Sequence, residues 1–219
     1  MKITFNNHEF ILDPSGALLW PEKGMLIVAD LHLEKSSHFA KRGYFLPPYD
    51  SHETLTRLMT VLMGSGMKRL LILGDCFHDR QGYERLNTRD YRIFDELRDY
   101  DPIWIRGNHD GDFVPSGMAS YDVYHEAGIS FRHEPSGQFY EISGHLHPKA
   151  TIQYHGTLIS RRCFIENDER MIIPAFGSYT GGLDVLNTAI SRYFSVLERV
   201  HLLGEDKIYS VPAGLLMRS

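Results

Sequence analysis

Short apolar runs alternate with a helical pattern along this chain, and that alternation constrains its fold more than any other feature. Residues 25–29, 70–73 and 103–105 are continuous apolar runs, as expected of strands buried on both faces. Between the first two runs, apolar side chains recur at helical spacing after Asp50: Leu55, Leu58, Met59, Leu62 and Met63. A second helix is predicted within residues 85–98. Strands joined by helices pair in parallel, so the first two-thirds of the chain predicts an α/β layer structure.

The two ends of the chain predict hairpins instead. Strand-like residues 9–12 and 17–20 flank a turn near the start. Two further strand pairs flank turns in the last third: 158–165 with 171–173, and 200–203 with 207–211. These pairs favour a second, more antiparallel sheet. Because no linker-like segment divides the chain, we expect a single domain over residues 1–219.

Composition excludes several classes of protein. The formal net charge of −5 argues against a broadly basic nucleic-acid binder, although a local basic patch is compatible with it. The longest apolar runs have about five residues, whereas a membrane helix needs about 20. The first residues lack the apolar stretch of a secretory signal. With Cys76 and Cys163 as the two cysteines, a dense disulfide framework is excluded, and we expect a reducing cytoplasm.

Polar motifs follow the predicted strands. They are Asp30 and His32 after the first strand, Asp75 after the second, Asn108 and His109 after the third, and His145 and His147 after a further strand predicted at 139–142, with His133 between the last two motifs. The carboxyl ends of the strands are where functional groups converge in open α/β sheets. We therefore expect these side chains to surround one crevice.

The residue types in these motifs indicate a metal site. Residues two apart on an extended backbone point to the same side, so a pair such as Asp30 and His32 reaches one ligand together. Imidazole, carboxylate and amide donors are numerous enough for two ions, and mixed N/O donors suit Mn, Fe, Zn, Co or Ni better than Ca or Mg. A lone Asp-x-His motif carries little weight, the segment around Asn108 is also compatible with a loop, and His145 and His147 alone are also compatible with a surface histidine pair. Only the ordered set favours metal binding.

The ordered set resembles the calcineurin-like metallophosphoesterases, from Asp30 to His147. The resemblance implies a four-layer αββα sandwich of two mixed β-sheets flanked by helices. It also implies two divalent transition-metal ions, with Mn²⁺ the first choice and Fe, Zn, Co or Ni as alternatives. The implied roles are Asp30, His32 and His147 as ligands of one ion, Asn108, His133 and His145 as ligands of the other, Asp75 as their bridge, and His109 as the histidine that contacts the substrate phosphate and helps the leaving group depart.

One position departs from the family pattern. Many relatives read G-D-x-x-D after the second strand, whereas this chain has His78 where the second aspartate stands and Asp79 next to it. The resemblance therefore leaves open which of these two residues orients His109.

A narrower resemblance covers nearly the whole chain. The matching segments are residues 30–35, 42–43, 46–50, 143–148 and 174–182. They are similar to the PdeM-like branch of the family, the ligase-associated DNA damage response endonucleases or phosphodiesterases. This branch implies a DNA or nucleotide phosphodiester substrate, a DNA ligase and a helicase as functional neighbours, and a link to DNA repair. The sequence predicts neither the oligomeric state nor whether cleavage is internal.

Three other functions remain as alternatives to this one. Two keep the chemistry: a cyclic-nucleotide phosphodiesterase and a general phosphomonoesterase. The third is a non-catalytic scaffold on the same fold. The complete set of ligand-type residues, with His109 among them, argues for an enzyme.

Basic and aromatic residues near the motifs offer further interpretations. Arg85, Arg89 and Arg92 have the spacing of one helix face, for which we favour solvation over contact with a DNA backbone. For Lys41 and Arg42, a phosphate path and a plain surface role are equally favoured.

Two further interpretations place side chains in the protein interior. Tyr44 and Phe45 have the chemistry to stack on a base, although we favour packing as their role. Cys76 adjoins Asp75, and we predict that it points into the core rather than at a metal.

Overall fold

Two β-sheets packed face to face form the centre of the computed structural model, which describes residues 1–111, 113–194, 197 and 199–218. Within the described residues, the first sheet (sheet A) has seven strands in chain order: β1 (Lys2–Phe5), β2 (His8–Leu12), β3 (Leu18–Trp20), β4 (Met25–Val28), β5 (Arg69–Leu73), β6 (Pro102–Ile105) and β7 (Ala119–Tyr121). Strands β1 to β4 pair antiparallel, and β4 to β7 pair in parallel.

Helices lie on the outer face of sheet A, in the connections between its parallel strands. They are α1 (Lys35–Ala40), α2 (Asp50–Ser65), α3 (Gly82–Arg85) and α4 (Thr88–Glu96), followed by a 3₁₀ turn at Leu97–Tyr100. The long helix α2 confirms the helix predicted after Asp50.

The second sheet (sheet B) has ten strands among the described residues. They are β8 (Val123–Glu126), β9 (Ile129–Arg132), β10 (Glu141–Ser143), β11 (Pro148–Tyr154), β12 (Thr157–Glu166), β13 (Arg170–Ile172), β14 (Leu183–Asp184), β15 (Arg199–Leu203), β16 (Ile208–Pro212) and β17 (Leu216–Met217). Strands β9, β10 and β13 pair in parallel. The predicted pairs β12–β13 and β15–β16 are antiparallel, and β11 pairs antiparallel with β12 as well. Helix α5 (Thr188–Ser191) and 3₁₀ turns at Pro21–Lys23 and Ala213–Leu215 complete the elements.

The alternation of side chains along each strand explains the continuous apolar runs. In β4, Met25 and Ile27 pack into the core between the sheets, while Leu26 and Val28 pack against the helices on the outer face. Leu58 of α2 belongs to that outer core. A third apolar cluster covers the outer face of sheet B, so the layers are helix, sheet, sheet and a thin helical layer. The predicted fold class is confirmed.

The helix predicted within residues 85–98 is α4, which begins at Thr88, so Arg85 lies outside it. The side chain of Asn87 accepts hydrogen bonds from the backbone N–H groups of Arg89 and Asp90, and this cap starts α4 anew after α3 has ended at Arg85. Arg85 and Arg89 therefore do not share a helix face, and the spacing argument that grouped them was wrong. No helix in the described part of the chain is long and apolar enough to cross a membrane.

Candidate metal centre

The polar motifs meet where the carboxyl ends of β4, β5 and β6 face the loops that follow β9 and β10. Backbone hydrogen bonds hold the two sheet A loops together, since Asp30 N–H donates to Gly74 O at 3.2 Å and His32 N–H donates to Asp75 O at 2.9 Å. A side-chain bond joins sheet A to sheet B, because His145 N–H donates to Asp30 Oδ2 at 2.8 Å. The two motifs from opposite sheets thus form one pocket.

Several site residues have an unusual backbone conformation. The following non-glycine residues lie in the left-handed region: Asp30 (φ 55°), His32 (φ 44°), Asp75 (φ 48°), His145 (φ 66°) and His147 (φ 44°). Such conformations are strained for residues with a side chain, and they cluster at functional sites. These backbone conformations direct the imidazole and carboxylate groups into the pocket.

Two glycines permit the close approach of the loops. A Cβ on Gly107 would lie 2.1 Å from the backbone nitrogen of Asp75. A Cβ on Gly144 would lie 2.6 Å from the Cβ of Ala29 and 2.7 Å from Asp30 Oδ2. Only glycine allows these loops to pack at such distances.

One group of candidate ligands consists of Asp30, His32 and His147. Their ligand atoms all lie within 4.8 Å of one another. His147 Nε2 is 3.3 Å from both Asp30 Oδ1 and His32 Nε2. Asp30 and His32 are buried. This is the set that the resemblance assigns to one ion.

A second group consists of Asp75, His133 and His145, with ligand atoms again within 4.8 Å of one another. His133 Nε2 lies 3.3 Å from Asp75 Oδ2, 3.0 Å from His145 Nδ1 and 2.9 Å from Asn108 Oδ1. Asp75 Oδ2 is also 3.9 Å from His32 Nε2. The Asp75 carboxylate therefore belongs to the second group and also lies close to the first.

The donor set fits divalent cations. His133 Nδ1–H donates to the carbonyl of Leu73 at 2.9 Å, so the lone pair of Nε2 in the neutral ring faces the other ligand atoms. Asp30 Oδ1 is buried and has no hydrogen-bond partner among the described residues. Imidazole lone pairs and negatively charged carboxylate oxygens lie close together in this pocket. Their mutual repulsion is unfavourable unless a cation lies among them.

The charges of the site lead to the same conclusion. Burial lowers the pKa of His32 to about 3, which keeps its imidazole neutral and able to bind a metal. Burial alone would lower the pKa of His133 too, but the hydrogen bond to Asp75 and the charge of Asp30 outweigh it and raise this pKa to about 9. Without a metal, a proton on His133 therefore balances the carboxylates.

His109 lies beside the first group, and its ring forms a further cluster of ligand-type side chains with His32 and His78. Its backbone N–H donates to Asp75 Oδ1 at 2.8 Å, and its ring Nδ1–H donates to the carbonyl of His78 at 2.7 Å. The ring Nε2 is 3.9 Å from Asp75 Oδ2, and 37% of the side chain is exposed. His109 is thus accessible to a substrate that approaches the candidate ligands.

The question of which residue orients His109 has an unexpected answer. The backbone carbonyl of His78 does so, and the His78 ring stacks on the His109 ring with centroids 5.2 Å apart. Asp79 instead accepts two hydrogen bonds from Arg85, at 2.8 and 2.7 Å, and one from His38 at 2.5 Å. The role that the family pattern gives to a second aspartate is therefore not taken by Asp79, whose carboxylate binds Arg85 and His38 instead.

Sequence reasoning missed the structural importance of Asp110. Its buried carboxylate accepts hydrogen bonds from the backbone N–H groups of Cys76, Phe77 and Gly107, at 3.3, 3.0 and 3.3 Å. Burial is the main cause that raises the pKa of Asp110, to about 6. Asp110 ties the β5 and β6 loops together, and its position directly after Asn108 and His109 was the available signal.

The remaining predicted residues divide into buried and exposed ones. Cys76 is buried in the core on the helical face of sheet A, which confirms its predicted orientation. Tyr44 and Phe45 are 67% and 88% exposed, so the prediction that they pack into the protein was wrong. Lys41 and Arg42 are exposed as well.

With this geometry established, the chain belongs to the calcineurin-like phosphoesterase family, whose sequence profile matches residues 25–187. It is therefore a phosphoester hydrolase of a family that binds divalent metals. Among curated protein sequences there is no match.

A solved nuclease structure shares the fold, and other solved structures are less similar. A nuclease of Pseudomonas putida, MPE, superposes with a TM-score of 0.74 at 23% identity, covering 96% of this chain and 99% of that one. The phosphoesterase Yfce from E. coli gives a TM-score of 0.44 at 14% identity, covering 86% and 98%. Vacuolar Protein Sorting 29 from Cryptosporidium parvum gives 0.36 at 13% identity, covering 85% and 94%.

Proposed function

We propose that this protein is a phosphodiesterase that cleaves DNA with the help of two divalent metal ions. The observation that carries the proposal is the position of the Asp75 carboxylate, with Oδ2 3.3 Å from His133 Nε2 in one group and 3.9 Å from His32 Nε2 in the other. A carboxylate placed between two sets of ligands is what a pair of ions requires. A site for one metal ion would need only one of the two ligand groups.

The two groups have separate tasks in this proposal. One ion would be held by Asp30, His32 and His147 and the other by Asn108, His133 and His145, with Asp75 as a ligand that the two groups share. When bound, the ions lower the pKa of a water molecule toward about 7 and neutralise charge on the phosphate oxygens. The mixture of nitrogen and oxygen donors suits Mn, Fe, Zn, Co or Ni, and among these the family resemblance makes Mn²⁺ the first choice.

His109 handles the proton of the leaving group. The carbonyl of His78 holds Nδ1–H, at 2.7 Å, in both the neutral and the charged ring, so Nε2 is the atom that faces the substrate. A protonated Nε2 donates to the leaving oxygen as its bond to phosphorus breaks, which stabilises the developing charge. The stacked His78 ring keeps the His109 ring in this orientation.

Two observations support DNA as the substrate. The fold matches that of a solved nuclease over nearly its whole length. The sequence segments described above resemble a branch of DNA endonucleases. The link to DNA repair, the ligase and helicase as functional neighbours, the cytoplasmic location and the single-domain assignment remain predictions that rest on sequence.

A panel of substrates tests the proposal. The Mn²⁺-loaded protein is offered single-stranded DNA, duplex DNA, bis-p-nitrophenyl phosphate, p-nitrophenyl phosphate and cyclic nucleotides. We expect cleavage of DNA and of the synthetic diester, and loss of both activities in an Asp75→Asn variant with unchanged circular dichroism. Hydrolysis confined to the monoester or to cyclic nucleotides would assign the protein to one of the alternative activities.

A further inference from the structure

An exposed loop between α1 and α2 lies beside the metal centre and takes no part in the proposed chemistry. All of residues 41–49 are exposed, and we call this segment the arm. Phe45 and Tyr44 have 88% and 67% of their surface accessible. Within the described part of the chain, Lys41 and Arg42 form no ion pair. Adjacent aromatic side chains that are exposed to solvent are typical of a binding surface.

Buried hydrogen bonds clamp the two ends of the arm together. Before the arm, Ser36 donates to the Asp50 carboxylate from its backbone N–H at 3.0 Å and from its hydroxyl at 2.5 Å. Glu34 N–H donates to Ser51 Oγ at 2.8 Å, and Ser51 Oγ–H donates to Glu34 Oε1 at 2.9 Å. All four residues are buried. The fold thus fixes the base of the arm, and the exposure of its rings is not the result of a frayed end.

Contacts between rings connect the arm to the reactive centre. Tyr44 lies edge-on to Phe39, with centroids 6.4 Å apart. Phe39 stacks on His78 at 5.6 Å, and His78 stacks on His109 at 5.2 Å. The arm is therefore separated from His109 by two rings, those of Phe39 and His78.

We propose that the arm binds a nucleotide neighbouring the scissile phosphate, with Tyr44 and Phe45 stacking on its unpaired base and Lys41 and Arg42 contacting its phosphates. This inference rests on the proposed DNA substrate. Aromatic faces that take a base, next to cations that track the backbone, are the combination with which proteins bind single strands. Lys41 and Arg42 place two exposed positive charges beside these rings, on a protein with a net charge of −5.

Alanine at both aromatic positions tests the arm. We expect the Tyr44→Ala/Phe45→Ala variant to raise the KM for a short single-stranded oligonucleotide by about 5- to 100-fold, the size expected from the loss of base stacking. Hydrolysis of bis-p-nitrophenyl phosphate, which does not extend beyond the metal centre, should be unchanged. Because both rings are in water, we expect the melting temperature to stay the same.

Two matched controls accompany this variant. Tyr154→Ala removes a ring that is 60% exposed on the β11–β12 hairpin of sheet B. Lys68→Gln removes an exposed cation at the amino end of β5, opposite the site, and is compared with Lys41→Gln/Arg42→Gln. Only the arm variants should change the KM for DNA, and the charge variant should also weaken its salt dependence.

Oligonucleotides with one abasic position show whether a base is the contact. Moved stepwise along the strand, the missing base should raise the KM of the wild-type protein at one position and have no such effect on the double alanine variant. Equal effects in both proteins, or an unchanged KM for DNA in the double variant, would overturn the arm as a base-binding surface while leaving the DNA phosphodiesterase in place. A wild-type protein that hydrolyses bis-p-nitrophenyl phosphate but not DNA would overturn both proposals.

Discussion

The ring Nδ1–H of His109 donates to the backbone carbonyl of His78, at 2.7 Å. A main-chain carbonyl does not titrate at ordinary pH and is not removed by substitution. The tautomer of His109 therefore does not depend on which side chain stands at position 78. The carboxylate of Asp79 is free for another task, and it holds Arg85 and His38. The chain thus departs from the family pattern in the position of the carboxylate, which is at Asp79, but the hydrogen bond that orients the His109 ring is still present.

Asp79→Asn should lower stability without changing the chemistry. The variant loses a charge-assisted pair with Arg85, for which we expect a decrease of about 1–3 kcal/mol in the free energy of unfolding at pH 7. The pH profile of bis-p-nitrophenyl phosphate hydrolysis should be unchanged, because Asp79 does not contact His109. Denaturant unfolding and steady-state kinetics measure the two effects, with the exposed Asp206→Asn as control. A shifted pH profile would show that Asp79 acts on the reaction.

The same variant has a defined pH dependence. Hydrogen bonds from Arg85 and His38 outweigh burial and hold the pKa of Asp79 well below its usual value of 3.8. A carboxylate with a lowered pKa stabilises the fold above its unfolded-state pKa, and this contribution is lost as pH falls toward the folded-state value. The stability difference between wild type and Asp79→Asn should therefore be constant above about pH 5 and shrink in more acidic solution.

His109→Ala should separate metal binding from turnover. The His109 side chain is not part of either proposed ligand group, so metal content measured by atomic emission should stay at the wild-type value. Turnover of the synthetic diester should fall by about 10²- to 10⁴-fold, the usual contribution of a positioned proton donor. His155→Ala, at an exposed histidine outside the motifs, is the control. Loss of metal together with activity would show that His109 is a ligand instead.

The sequence predicted that the site residues would lie close together, but it did not predict the hydrogen bonds that hold them in place. Strand ends converge in any α/β sheet, so motifs that follow apolar runs indicate a common pocket. The bond from His145 to Asp30, which joins the two sheets, depends on their packing and has no local signal. The same holds for Asp110, whose donors come from two separate loops.

Two wrong predictions share a cause. Helical spacing grouped Arg85 with Arg89, but the single cap at Asn87 divides the segment. Aromatic residues are mostly buried, which favoured packing for Tyr44 and Phe45, but the clamp between Ser36 and Asp50 leaves their loop outside the core. In both cases specific side-chain hydrogen bonds override a tendency averaged over many residues.

Metal binding should stabilise the protein more at higher pH. In the metal-free protein, the raised pKa of His133 means that its proton contributes stability below about 6.5, and this contribution is lost as pH rises toward about 9. An ion replaces that proton, so the increase in melting temperature on adding Mn²⁺ in place of EDTA should be larger at pH 8 than at pH 6.5. Differential scanning fluorimetry measures both. In Asp75→Asn the increase should be small at either pH; a wild-type-sized increase there would contradict the bridging position.

Gly144→Ala should weaken the metal centre through packing alone. The added methyl group would meet Ala29 Cβ at 2.6 Å and Asp30 Oδ2 at 2.7 Å, so the loop after β10 must move away from Asp30. We expect a loss of about 1–3 kcal/mol in the free energy of unfolding, and a smaller Mn²⁺-induced increase in melting temperature. Gly64→Ala is the matched control, because nothing lies within 4 Å of its Cβ on α2. That variant should gain about 0.5–1 kcal/mol from helix propensity. Equal behaviour of the two variants would mean that the sheet B loop is not held against Asp30.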